Sequence, residues 1–330
     1  VSWVARLLRR LGLGGGLPVA AVPAPRDGAR AARAVPLSLR PALPPPRQGP
    51  GAASMLDDGG GPWTPRWAGV PPVPAGLPVV CDAPPRGAGV VEARSTSSDR
   101  PVLRPIAAGG LPWTAVGRVD TPGGWGSGVL VGPRHLLTAS HVVAWGGGAG
   151  RSPGHEDPAP GWLRFTPAAA PGVAPYGTAQ AVAVHYALAV VPPAIEAHEE
   201  RYDYAVCVLD RRIGDEVGWL GVRAYRDDWN NIELWTLVGY RGRTAGEAEP
   251  VAVSGIHLEG HGDQSDDSQV LFHPAVVAVG LSGGPVLAQW PSEPVPSVVA
   301  VQSWSNEHLS GACGGARLVE LVTTALREHP

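Results

Sequence analysis

From about residue 111 the chain is a series of short β-rich runs, each closed by glycine, proline, asparagine or aspartate. Runs at 113–119, 125–131, 162–165, 180–185, 204–209, 232–239, 251–256 and 298–303 are too short and too closely spaced for a helical fold. Many strands at this spacing predict an all-β sandwich or barrel. The one persuasive helix is terminal, where Leu318, Leu321, Val322, Ala325 and Leu326 fall on one face. About 220 residues suit two six-stranded antiparallel barrels and a closing helix.

Residues 1–100 have a different texture. They hold 17 of the 37 prolines, with runs such as Pro44-Pro45-Pro46, and 12 arginines against six acidic residues. Proline removes backbone donors and interrupts helix and central strand alike. Without long periodic apolar stretches, this part cannot bury enough surface to offset chain entropy. The expectation is therefore a largely disordered, low-complexity pro-segment or linker over 1–100 and a folded domain over 101–330. Val1 to Leu13 is basic and apolar, with Leu7, Leu8 and Leu11 at helical spacing, so a remnant of a targeting segment is the second reading.

The formal net charge of −3 gives no footing for nucleic acid or an anionic membrane surface. No apolar run approaches the roughly 20 residues that span a bilayer. Three cysteines, Cys81, Cys207 and Cys313, rule out a fully paired intramolecular framework. Cys207 lies in an apolar run and reads as a buried thiol, with a single Cys207–Cys313 bridge left open. The histidines give no zinc-ligand spacing except His257 and His261. That pair lies in a glycine-rich stretch with no glutamate beside the first histidine, so the expectation is no metal site. There is no phosphate loop or dinucleotide fingerprint, and no cofactor is expected.

Three segments carry chemistry. The first runs from Gly126-Ser127-Gly128 through the turn at Gly132-Pro133 to Thr138-Ala139-Ser140-His141. The second, Tyr202-Asp203-Tyr204-Ala205-Val206, sets a carboxylate at the mouth of an apolar strand. The third, Gly280-Leu281-Ser282-Gly283-Gly284-Pro285, holds a serine in a tight glycine-rich turn. A serine hydroxyl is a weak nucleophile unless a base takes its proton during attack. His141 can accept that proton and return it to a leaving amine. Asp203 can hold the other ring N–H and fix the tautomer, and the N–H groups of Gly280 and Ser282 can form an oxyanion hole. Taken singly, the serine turn reads equally as a surface turn, His141 as a packed histidine and Asp203 as a strand cap. His135 reads as structural. The conjunction in the order His, Asp, Ser distinguishes the set.

These segments resemble the trypsin-like serine peptidases of the chymotrypsin fold, and most of all the bacterial glutamyl-endopeptidase branch. Ile213 to Gly221 and Val238-Gly239-Tyr240 resemble that branch as well. The resemblance covers about 111–325. It implies a double β-barrel with the triad in the cleft, peptide or protein substrates and, for the compartment, export. Leu281 stands where digestive trypsins carry an aspartate that pairs with the freed N-terminal amine, so that activation switch is absent. In the glutamyl branch a threonine five residues before the serine and a histidine on a later strand bind the substrate carboxylate. Here Val277 and Gln302 stand in those places, and Val276 offers no acid for a basic side chain. The expected pocket, drawn from Val276, Val277, Gln302, Ser303, Trp304 and Ser305, favours an uncharged, moderately apolar residue. Two other functions stay open: a catalytically silent module that binds protein segments, and a protease domain within a larger signalling or defence protein.

Overall fold

Turn residues set the strand limits, and the strands pair into two sheets, antiparallel apart from one short parallel pairing in the second. The computed structural model describes residues 33–36, 103–106, 110–145, 162–189, 200–261, 268–275, 277–288, 295–306 and 308–330. All of them lie in the unit Ala32–Pro330. Two short strands come first in the chain, β1 (Arg33–Pro36) and β2 (Arg104–Pro105). β3 (Val116–Thr121), β4 (Gly124–Gly132), β5 (His135–Thr138), β6 (Arg164–Pro167), β7 (Ala179–Tyr186) and β8 (Ala205–Leu209) follow. These six pair in the order β7-β6-β3-β4-β5-β8, and a β7–β8 pairing closes them into a barrel. The six-stranded barrel expected from the strand spacing is thus present.

The second sheet is larger than expected. It contains β9 (Gly221–Val222), β10 (Glu233–Arg241), β11 (Glu249–His257), β12 (Glu259–His261), β13 (Ser268–His273), β14 (Pro285–Ala288), β15 (Ser297–Ser305) and β16 (Ser310–Gly315). Its order is β12-β13-β16-β15-β14-β10-β11-β2, with β9 pairing parallel to β15. Among the described residues this path does not close, so the second half is a nine-stranded half-barrel. β2, β9, β12, β13, β14 and β16 have no counterpart among the strands read from the sequence. β16 is Ser-Gly-Ala-Cys-Gly-Gly, a composition with little β-propensity of its own.

Among the described residues two helices are α-helical, the single turn α1 (Gly214–Val217) and α2 (Ala316–Glu328). α2 buries Leu318, Leu321, Val322 and Ala325, the face that the 3.6-residue period predicts, with Leu326 packed at the margin of the core. Each large aliphatic side chain so buried contributes about 1.5–3 kcal/mol. Cys207 and Cys313 are buried free thiols, so the open question of a bridge resolves against one. Burial pushes the Cys207 thiol up to about 12, and it pushes Cys313 up as well. Both are inert at neutral pH. Cys81 lies outside the described residues.

Within 1–100 the described element is β1, which adds to β7 with Arg33 opposite Tyr186 and Pro36 opposite Ala183. Among the described residues no helix is long and apolar enough to cross a membrane.

Candidate active site

The first barrel brings His141 and Asp203 together through strand register. β5 and β8 are antiparallel, with Thr138 opposite Ala205. The end of β5 therefore lies beside the start of β8. His141 sits in a 3-10 turn, Ser140–Val142, just past β5, and Asp203 lies two residues before β8. Asp203 Oδ2 lies 2.6 Å from His141 Nδ1, and Oδ1 accepts the His141 backbone N–H at 2.8 Å. Asp203 is wholly buried. Two hydrogen bonds from one histidine fix both the ring and its backbone against that carboxylate. Burial pushes the His141 imidazole down, but the charge and hydrogen bond of Asp203 more than offset it. Its pKa stands above the ordinary histidine value.

The second sheet supplies the serine. Ser282 lies in the turn before β14, and its hydroxyl donates to the Ser303 carbonyl at 3.3 Å. That bond is long for two oxygens and correspondingly weak. Among the described residues the hydroxyl makes no hydrogen bond to His141. The turn needs two residues in the left-handed region, Gly280 at φ +98° and Gly283 at φ +81°. Space imposes the same choice. A Cβ on Gly280 would lie 2.0 Å from the Trp125 ring, and one on Gly283 would lie 2.2 Å from the Ser127 carbonyl oxygen. Among the described residues, neither the Gly280 N–H nor the Ser282 N–H donates to a protein acceptor. Leu281 between them is fully buried in the second core.

Two serines brace this region, Ser127 at the Ser282 turn and Ser303 at Asp203, and the sequence showed the role of neither. Ser127, buried on β4, donates its hydroxyl to the Gly280 carbonyl at 2.7 Å and accepts the Tyr240 N–H at 2.8 Å. Its own N–H donates to the Ser282 carbonyl at 2.7 Å. The available signal was a polar residue between two glycines in an otherwise apolar strand. Ser303 was expected to line the pocket. Its hydroxyl donates to Asp203 Oδ2. A register shift in β15 between Gln302 and Trp304 marks the irregularity at that point.

The remaining pocket candidates divide. Gln302 is buried, and its side chain is fully engaged. Its oxygen lies 2.8 Å from His273 Nε2, and its nitrogen donates to the Trp304 and Gly311 carbonyls at 2.7 and 3.2 Å. Gln302 therefore faces the interior, with its amide held by His273, Trp304 and Gly311. Val277 and Trp304 are half-buried and Ser305 is exposed. The Ser305 hydroxyl accepts the Val277 N–H at 3.4 Å and pairs with Ser310 at 2.8 Å. Val276 lies outside the described residues.

The buried His273 carries a pH dependence. Burial pushes it down to about 4, the Gln302 bond opposes this, and His257 adds to it. The unfolded chain then binds a proton near 6.5 that the folded one refuses until about 4, so this share of stability is full above 6.5 and falls as pH drops toward 4. Between pH 8 and pH 5 the expected loss from His273 is about 2 kcal/mol. Urea unfolding of the native chain and of His273→Gln should differ by that much in their loss. Equal losses in the two proteins would refute the assignment.

A sequence profile described as a trypsin-like peptidase domain matches residues 126–290, half of the chain. No curated protein matches the sequence significantly. Among solved structures, one described as a Glu endopeptidase in complex with MPD is similar over 69% of this chain and 97% of its own. It is 22% identical, with a TM-score of 0.51. The protease Anisep from Arthrobacter nicotinovorans is 21% identical over 68% of this chain and 99% of its own, with a TM-score of 0.49.

Proposed function

This chain belongs to the trypsin-like peptidase domain family, and on that premise we propose that it is a serine endopeptidase acting through Ser282, His141 and Asp203. The carrying observation is the buried Asp203 carboxylate 2.6 Å from His141 Nδ1. An acceptor there holds the proton on Nδ1 and leaves Nε2 free to take one from a serine. In the proposed reaction the Ser282 hydroxyl turns from Ser303 toward His141 and attacks the scissile carbonyl carbon as its proton passes to Nε2. The negative oxygen of the tetrahedral intermediate is held by the Gly280 and Ser282 N–H groups, which have no competing protein acceptor among the described residues. The C–N bond then breaks, His141 protonates the departing amine, and an acyl-enzyme on Ser282 remains. Water, deprotonated by His141, repeats the sequence and releases the acid.

Fluorophosphonate labelling of the full chain tests this reading. The native protein is expected to take one label, and Ser282→Ala none. A well-folded native chain that takes no label would remove the enzyme and favour the silent protein-binding module.

The proposed preference at the cleaved bond is an uncharged, moderately apolar residue. Val277 has no polar side-chain atom, and Gln302 has already committed its amide to His273, Trp304 and Gly311. Neither is left to receive a carboxylate or a guanidinium, and a charge buried there without a partner would be costly. A peptide library is expected to show turnover of small and medium apolar residues at that position. Strong preference for Glu or Arg would overturn the assignment.

A further inference from the structure

The end of α2 meets the first barrel at a group of side chains that the proposed peptidase chemistry does not use. His185 on β7, Glu328 at the last position of α2 and His329 just beyond it each offer one donor atom. These atoms lie within 4.8 Å of one another. His185 Nδ1 is 3.8 Å from Glu328 Oε2, and the His185 and His329 rings stand edge to face with centroids 5.2 Å apart. The His185 side chain is fully buried, yet neither of its ring nitrogens has a hydrogen-bond partner. Buried imidazole nitrogens in native proteins are ordinarily hydrogen-bonded, so a buried ring with no hydrogen bond, 3.8 Å from a carboxylate and beside a second imidazole, points to a bound ligand.

We propose that His185, Glu328 and His329 form a binding site for a divalent transition-metal ion, with zinc the ion the donor set fits best. Two imidazoles and one carboxylate are a zinc ligand set that leaves a fourth position for water. Imidazole donors disfavour magnesium and calcium, which take oxygen ligands. Ligands about 2.1 Å from a tetrahedral ion stand about 3.4 Å apart. A pair at 3.8 Å reaches that spacing with a small rotation of the exposed Glu328 side chain. The helix contributes too, because its last carbonyls place partial negative charge at this end. Entry is open, since Glu328 is exposed and His329 is half-exposed while His185 closes the floor. Bound metal would fasten α2 to β7, two elements 130 residues apart in sequence.

The test is zinc uptake by the full chain, read by competition with a chromophoric zinc indicator and by the thermal midpoint. The native protein is expected to bind zinc and to melt higher in its presence, and to show no rise with magnesium. The double variant Glu328→Gln, His329→Ala is expected to bind one equivalent fewer, or to bind this equivalent roughly 100-fold more weakly. Its melting without metal should match the native chain, because neither side chain lies in the core. Absence of zinc binding by the native chain would overturn the proposal. So would a double variant with the same number of equivalents at affinities within threefold of native, or a magnesium response equal to that of zinc.

Discussion

Ser282→Ala is expected to lower kcat/KM on a peptide substrate by about 10⁶-fold while leaving the urea midpoint nearly unchanged. The size follows from the removal of the proposed nucleophile, the hydroxyl that would form the acyl-enzyme. Residual turnover would come from the oxyanion donors and substrate positioning alone. The small effect on stability follows from the same geometry. The hydroxyl's bond to the Ser303 carbonyl is long, at 3.3 Å, whereas the Ser282 backbone is held by the Ser127 N–H at 2.7 Å. Alanine loses the first and keeps the second. A variant that retained more than a thousandth of native activity would show that another group is the nucleophile.

Asp203→Asn is expected to cost about 10⁴-fold in kcat. An amide can offer its NH₂ where the carboxylate now accepts from His141 Nδ1, and the ring would then carry its proton on Nε2. That tautomer cannot take the proton of Ser282. A second readout separates this cause from simple misfolding. The Asp203 charge holds the His141 pKa above its ordinary value, and the base must be neutral to work, so native activity should fall as pH drops through that raised value. In the variant the acid limb should move to lower pH, as desolvation is left unopposed. An unchanged limb would mean that another group controls it. Ser303 is part of the same arrangement, because its hydroxyl also donates to Asp203 Oδ2 and would lose an ionic acceptor.

The candidate catalytic residues were legible because each is announced by its immediate neighbours. Thr138 to His141 follows an apolar strand, Asp203 precedes one, and Ser282 sits between residues that only glycine can supply. Such signals occupy windows of five or six residues and need no knowledge of the rest of the chain. The terminal helix was legible for the same reason, through the spacing of Leu318, Leu321, Val322 and Ala325. β16 was not. Its small residues are required by what lies opposite, since a Cβ on Gly311 would come within 2.6 Å of the Trp304 indole. A strand chosen for thinness carries little propensity to read.

Gln302 and Ser303 show the same limit within the site. The resemblance assigned both to the expected pocket, Gln302 in the place of the glutamyl branch's histidine and Ser303 beside it on the same strand. The register shift of β15 falls at this point, and with it Ser303 reaches Asp203 while Gln302 is buried against His273. In a strand, successive side chains alternate faces, so one irregular residue reassigns which of them meets the substrate. The sequence by itself determined the β-rich class, the closing helix and the order of His141, Asp203 and Ser282, all of which rest on local periodicity and turn chemistry. Only the tertiary structure decided that Ser127 braces the Ser282 turn, that Gln302 faces inward and that His185 meets Glu328 and His329. Those meetings join residues far apart along the chain, and sheet register, a property of the whole fold, sets them.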